Sequence, residues 1–358
     1  MSIDMRIHRA LTAVSGLLVT TGVLAGCSGS SESGSTSSPD AGSGASGSLV
    51  TGTQGTPDSD DTQFEDATLV MPHRALEVTA SEASTTVDEA KVQELDLGDS
   101  ELTADEGEEY VVVSIDQGDK PFESDQSATV ELVTEEESYD ITSAVDDAHD
   151  QLLQAVVAVS VPTDSPVSLS ITDEDKTAEL DVRTGERSEQ TNSGATGAYY
   201  AGWSGQISGK LESTGVLSST DPSASPGGPS DVSVSMSLDA VEPRADGWLS
   251  SGWAPDGQGY VLLFGVQTNE QIPGAGCSAE LDPASSLTFT PDGGQPVPAI
   301  GFDAETGEVS DALDGPIAFA IPLDTASGVL TLSPQLTVAQ GCQLSTPMSV
   351  AELPITLK

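Results

Sequence analysis

A chain of 358 residues with 58 acidic and 11 basic side chains carries a formal net charge of −47. Nucleic acid is excluded as a partner, because binding through counterion release needs Lys and Arg, and anionic headgroups or wall polymers would be repelled. Hydrophobic residues make up 36% of the chain, against about 45–50% with Gly in ordinary globular proteins. Part of the sequence is therefore too polar to bury a core, and the rest has room for about two domains. The acid excess serves solubility or a saline habitat, with loose collection of divalent cations as a third reading.

The N-terminus reads as an address. Arg6 and Arg9 precede an uncharged, mostly apolar run from Ala10 to Val23, and Leu24-Ala25-Gly26-Cys27 follows. This is the layout of a secretory signal peptide, and its last four residues resemble the lipobox of bacterial lipoproteins. The resemblance implies cleavage before Cys27 and a diacylglycerol on its thiol, so residues 1–26 are expected to be removed. A plain signal peptide or a membrane helix would share the apolar run. That run is short for a span of about 20 residues, and Ser and Gly follow it instead of a basic stop-transfer signal.

Residues 27–66 are dominated by Ser, Gly, Thr and Asp without apolar periodicity and read as a disordered tether with a reach of roughly 35 Å. From 67 to 187 short β-rich runs alternate with turn residues, among them Tyr110–Asp116, Leu152–Val161 and Val167–Asp173. Asp173-Glu174-Asp175-Lys176 reads as a hairpin turn, and Ala144 to Gln154 has room for a short helix. Close strand spacing without long helical patterns points to a β-sandwich.

Residues 188–231 are again rich in Ser, Gly, Thr and Pro and read as a linker. Within them lies an aromatic island, Ala198-Tyr199-Tyr200-Ala201-Gly202-Trp203, too apolar for free chain and expected to pack on a neighbour. Residues 232–358 return to the strand pattern and repeat the first region in order. Gly107 and Tyr110-Val111-Val112-Val113 correspond to Gly257 and Tyr260-Val261-Leu262-Leu263, and Val156 to Asp164 correspond to Ile317 to Asp324. Ala128–Thr134 and Ser286–Thr290 lie between these anchors. Three anchors in one order indicate a tandem duplication.

A lipobox, a Ser/Thr/Gly tether and a Gly-x-x-Tyr-Val-x-Val strand (Gly107, Tyr110, Val111, Val113; Gly257, Tyr260, Val261, Leu263) together resemble bacterial lipoproteins with telokin-like, immunoglobulin-type domains, common in actinobacteria. The similarity covers 68–187 and 232–358. It implies an all-β chain of two tandem immunoglobulin-like sandwiches and a place at the cell envelope, but no reaction. The high acid content departs from that group.

Cys277 and Cys342 remain after Cys27, in a compartment where disulfides persist; a bridge is expected, free thiols being the alternative. No catalytic, cofactor-binding or metal site is expected. His8 lies in the cleaved segment, and His73 and His149 stand alone in sequence, the latter within Asp146-Asp147-Ala148-His149-Asp150. A serine nucleophile would lack a nearby base, and no Gly-x-Ser-x-Gly elbow or phosphate-binding glycine loop occurs. Trp203, Trp248 and Trp253 with Tyr199 and Tyr200 would form a recognition patch for glycan or protein if exposed. Otherwise Trp253 fills the sandwich core and the others cap its end. The expectation is a membrane-anchored, extracytoplasmic, non-enzymatic protein that binds, displays or supports. An accessory subunit of an envelope enzyme and a cation- or solute-capturing lipoprotein are the alternatives. The first β region holds 31 acids against 6 bases and the second 15 against 2, so a charged partner is expected on the first.

Overall fold

The computed structural model describes residues 48–53, 62–64, 66–123, 128–151, 153–220, 229–271, 277–310 and 315–358. The apolar leader, Cys27 and most of the predicted tether lie outside them, as do residues 221–228 of the predicted linker. The fold is all-β apart from short helical turns.

Its first half is organised by two antiparallel strands, Glu108–Gln117 and Ala155–Pro162. Both are continuous apolar runs rich in Val, whose β-branched side chains suit a pleated surface. Continuity instead of alternation signals burial on both faces. Val111, Val113, Ile115, Val157, Val159 and Val161 point into one core. Tyr110, Val112, Val156 and Ala158 point the other way, into a second cluster capped by Val92, Leu95 and Leu97 in and beyond the helix Glu89–Glu94. That helix begins where the Asp88 carboxylate accepts the Lys91 N–H at 2.9 Å, an N-cap. Across the first core lies a four-stranded sheet in the order Lys176–Asp181, Val167–Asp173, Thr129–Thr134, Ser138–Asp140. Glu174 and Asp175 join its first two strands with φ of 48° and 62°, the left-handed pair of a two-residue hairpin turn.

The second half repeats these registers. Glu108 faces Pro162 and Tyr110 faces Ser160; Gln258 faces Pro322 and Tyr260 faces Ala320. The Thr163 N–H donates to the Gly107 carbonyl at 3.0 Å, and the Leu323 N–H to the Gly257 carbonyl at 3.1 Å. In the facing sheets Leu132 opposes Leu169, which opposes Leu180; Phe289 opposes Leu330, which opposes Leu353. The halves differ at one edge. In the first, Ala155–Pro162 is flanked by Leu49–Thr53, and the helix Thr142–Asp150 lies between the sheets' strands in sequence. In the second, Ile300–Phe302, from the chain between Leu287–Pro291 and Ile317–Pro322, takes that edge. The second half also gains a sheet built on the hairpin of Ile207–Ser219 and Ser230–Val241.

Two stretches assigned to tether and linker by composition therefore carry strands. Leu49–Thr53 pairs residue for residue with Ala155–Val159. Ile207–Ser219 is a 13-residue strand, preceded by the short helix Glu189–Ser193 and the 3-10 turn Ala195–Tyr200. Composition misleads at both because the small residues sit at close approaches. A Cβ on Gly52 would lie 2.1 Å from the Leu95 carbonyl oxygen, and one on Gly215 would lie 2.6 Å from Met348 Sδ. Ser213 is fully buried, its hydroxyl donating to the Ser349 carbonyl.

Gly52 tests whether the edge strand belongs to the folded body. Gly52→Ala must push the backbone at Leu95 aside, and overpacking of this kind costs about 1–3 kcal/mol. The urea midpoint should fall accordingly; an unchanged midpoint would return residues 49–53 to the tether.

Candidate functional site

Polar side chains gather where the two halves meet. From the first half come the turn at His73 and the hairpin turn at Asp173 and Glu174. From the second come Asp246 and the two-stranded ribbon of Trp248–Leu249 and Gly252–Trp253, and from the 3-10 turn Ala195–Tyr200 that precedes the second half comes Tyr199. His73 is buried among them. Its backbone N–H donates to Asp173 Oδ2 at 2.8 Å, and its Nδ1 lies 3.1 Å from Oδ1 of the same carboxylate. Glu174 Oε1 is 3.8 Å from Nδ1. The Trp248 ring meets the imidazole edge-on at 5.0 Å. Trp253 crosses the junction, its Nε1–H donating to the Glu174 carbonyl at 2.7 Å.

Other contacts close the same seam. Phe122 of the first half is buried against Trp248 in the cluster formed by Leu249, Tyr260, Leu262 and Phe302. The Glu123 N–H donates to the Glu305 carbonyl at 2.6 Å. The Val70 N–H donates to the Tyr200 hydroxyl at 2.9 Å, with the Arg187 guanidinium stacked 4.0 Å from the ring centroid. The aromatic island thus packs on both neighbours, Trp203 entering the second core with its Nε1–H on the Thr325 carbonyl.

Asp246 lies at the bottom of the seam, fully buried. Burial pushes its carboxyl up to about 6, against the opposing pull of Arg244, whose Nη2 is 3.4 Å away, and of the Trp248 N–H at 3.2 Å. The Tyr199 ring is partly exposed, but its hydroxyl oxygen is enclosed beside the Asp246 carboxyl and the Gly247 backbone N–H. Burial, then the charges of Asp246 and Asp173, hold that hydroxyl well above its ordinary range.

The sequence-derived candidates fare differently. Cys277 and Cys342 form a disulfide with Cα atoms 5.6 Å apart, closing a loop worth on the order of 4 kcal/mol in unfolded-state entropy. Cys27 lies outside the described residues. His149 is exposed on its helix, and neighbouring Asp146 instead binds Arg74 at 2.6 Å. Two expectations are corrected. His73, isolated in sequence, has two carboxylates beside it, because the turn that carries it abuts a hairpin 100 residues away. Trp253 is half-buried, packed against the first core and the Phe122 cluster, while Trp203 is buried in the second core and Trp248 and Trp253 meet at the seam, so the five aromatics form no common surface patch. Among the described residues, His73, Asp173 and Glu174 are one group of potential ligands whose donor atoms all lie within 4.8 Å of one another. No helix among these residues is long and apolar enough to cross a membrane. Comparison with family models, curated proteins and solved structures returned no match.

Asp246 makes stability depend on pH. Its carboxyl titrates near 6 folded, against an ordinary value of 3.8. Between these values the folded chain holds the extra proton, so this group lowers stability as pH rises from about 4 to 6, and the loss persists above. A shift of about two units corresponds to about 3 kcal/mol. Asp246→Asn keeps an acceptor for the Trp248 N–H and should raise the thermal midpoint near pH 7.5 while leaving it almost unchanged near pH 4. The same difference between variant and parent at both pH values would refute this account.

Proposed function

We propose that the chain is a lipid-anchored, extracytoplasmic protein of the cell envelope, built on two tandem immunoglobulin-like sandwich domains, and that it holds or displays a partner without transforming it. The observation that carries this reading is Leu24-Ala25-Gly26-Cys27 at the end of an apolar, Arg-preceded run. Its spacing from the folded body adds support. Twenty Ser/Gly-rich residues separate Cys27 from Ser48, the composition of a tether. The repeated registers around Pro162 and Pro322 support the tandem-domain reading. A partner, whether envelope protein or glycan, would meet sheet faces and loops, where function resides on such folds. A cationic partner would prefer the first domain, with its net of −25 against −13 for the second.

Expression in a lipoprotein-processing bacterium tests the anchor. The full chain should partition into detergent and yield an N-terminal peptide beginning at Cys27 with acyl mass attached. Cys27→Ser should remain unprocessed at that site and carry no acyl mass. An intact, unacylated N-terminus on the parent chain would overturn the proposal.

A further inference from the structure

We infer that His73, Asp173 and Glu174 form a binding site for a divalent transition ion of the zinc type, set in the seam between the two halves. The inference is independent of the lipid anchor. Ligand atoms around a tetrahedral ion at about 2.0–2.2 Å lie about 3.3 Å apart. Here Nδ1 is 3.1 Å from Asp173 Oδ1 and 3.8 Å from Glu174 Oε1, so small adjustments would centre an ion on all three. The donor set is one imidazole nitrogen and two carboxylate oxygens. That choice favours zinc and its neighbours over calcium, which takes six to eight oxygens.

The surroundings are those of a supported site. Asp173 is oriented by the His73 backbone N–H on its second oxygen, and the imidazole by the edge of Trp248. The carbonyl of Glu174 is held by Trp253 Nε1–H, and the left-handed φ of Glu174 and Asp175 sets the turn that brings Glu174 beside Asp173. Outer contacts of this kind fix ligand geometry. Charge supplies the second argument. Side chains of His73 and Asp173 are 3% exposed and that of Glu174 is 24% exposed, and buried carboxylates require a counter-charge. Arg74 pairs through Nη1 with Asp146 and Arg244 through Nη2 with Asp246, and neither forms an ion pair with Asp173 or Glu174. On binding, the ion replaces the hydrogen of the Nδ1–H···Oδ1 contact; that proton moves to Nε2 or to solvent. The remaining position is open to water along the exposed side of Glu174.

The test is calorimetric titration of Zn2+ into the detergent-solubilised, chelator-stripped full chain, with tryptophan fluorescence followed in parallel. The parent should bind one saturating equivalent and change its emission, since Trp248 touches His73. Glu174→Gln, on a partly exposed side chain, and Asp173→Asn, which keeps an acceptor for the His73 N–H, should each weaken binding by roughly 10- to 100-fold or more while retaining the parent's circular dichroism. Ca2+ should give only weak, non-saturating heats that neither variant alters. Zn2+ heats without an integer endpoint, or an endpoint and affinity unchanged in both folded variants, would mean diffuse condensation on the acidic surface and overturn the site.

Discussion

The molecule depends on one constraint: the central strand pair of each half is apolar on both faces. A sheet of that kind cannot remain the outer layer of a two-layer sandwich, because its outward residues would stay in water at a cost of about 25 cal/mol per Å². Tyr110, Val112, Val156 and Ala158 need a cover, and the helix Glu89–Glu94 with Leu95 and Leu97 provides one from the same half. Tyr260, Leu262 and Ala318 need a cover in the second half, where no such helix is present among the described residues. They receive the Trp248–Trp253 ribbon and, from the other half, Phe122. The two halves thus have unequal outer layers, and the inequality welds them together.

That weld explains where the polar groups sit. Covering the second sheet draws the first half's loops at Pro72–His73, Phe122 and Glu174 against the ribbon. Loops bring unpaired backbone groups and titratable side chains into a space that excludes water, where each must find a partner. Most do, through Trp253, Tyr200 and the Glu123 N–H. The carboxylates gathered there are Asp173 and Glu174 beside His73, and Asp246 beside Arg244 and Tyr199. The raised carboxyl of Asp246 and the ion site at His73 answer the same electrostatic problem, one by taking up a proton and the other by taking up a metal.

The strand pattern, the turn at Glu174–Asp175 and the matched strand registers of the two halves were legible in the sequence because each is a local signal. Period, φ-tolerant polar residues and matched anchors all lie within a few residues of one another, and the Glu108/Pro162 and Gln258/Pro322 registers follow the same alignment that the anchors define. The edge strand Leu49–Thr53 and the long strand Ile207–Ser219 were not legible. Their Gly and Ser residues imitate a flexible segment, yet Gly52, Ser213 and Gly215 are small because Leu95, Ser349 and Met348 press against them. The seam was hidden for a related reason. His73 and Asp173 are far apart in the chain, and nothing near either residue announces the other; only the cover required by the second sheet brings their turns together. The one local hint was the aromatic island at 198–203, too apolar to be free chain.

Scarcity of cations sharpens this picture. With 11 basic residues against 58 acids, a random scatter would put most Lys and Arg on the surface as neutralising spacers. Instead several sit at joints of the fold. Arg74 ties the His73 turn to the helix Thr142–Asp150, and Lys91 ties the covering helix to Glu82. Arg183 reaches Glu109 across the first sandwich, Arg187 stacks on Tyr200, and Arg244 lies over Asp246 between the rings of Phe122 and Phe264. Charge pairs at partly buried joints resist screening better than exposed ones. A chain that repels itself over its whole outer surface thereby keeps attraction where its elements meet, while at the His73 cluster two carboxylates converge on an imidazole with no guanidinium or ammonium paired to them.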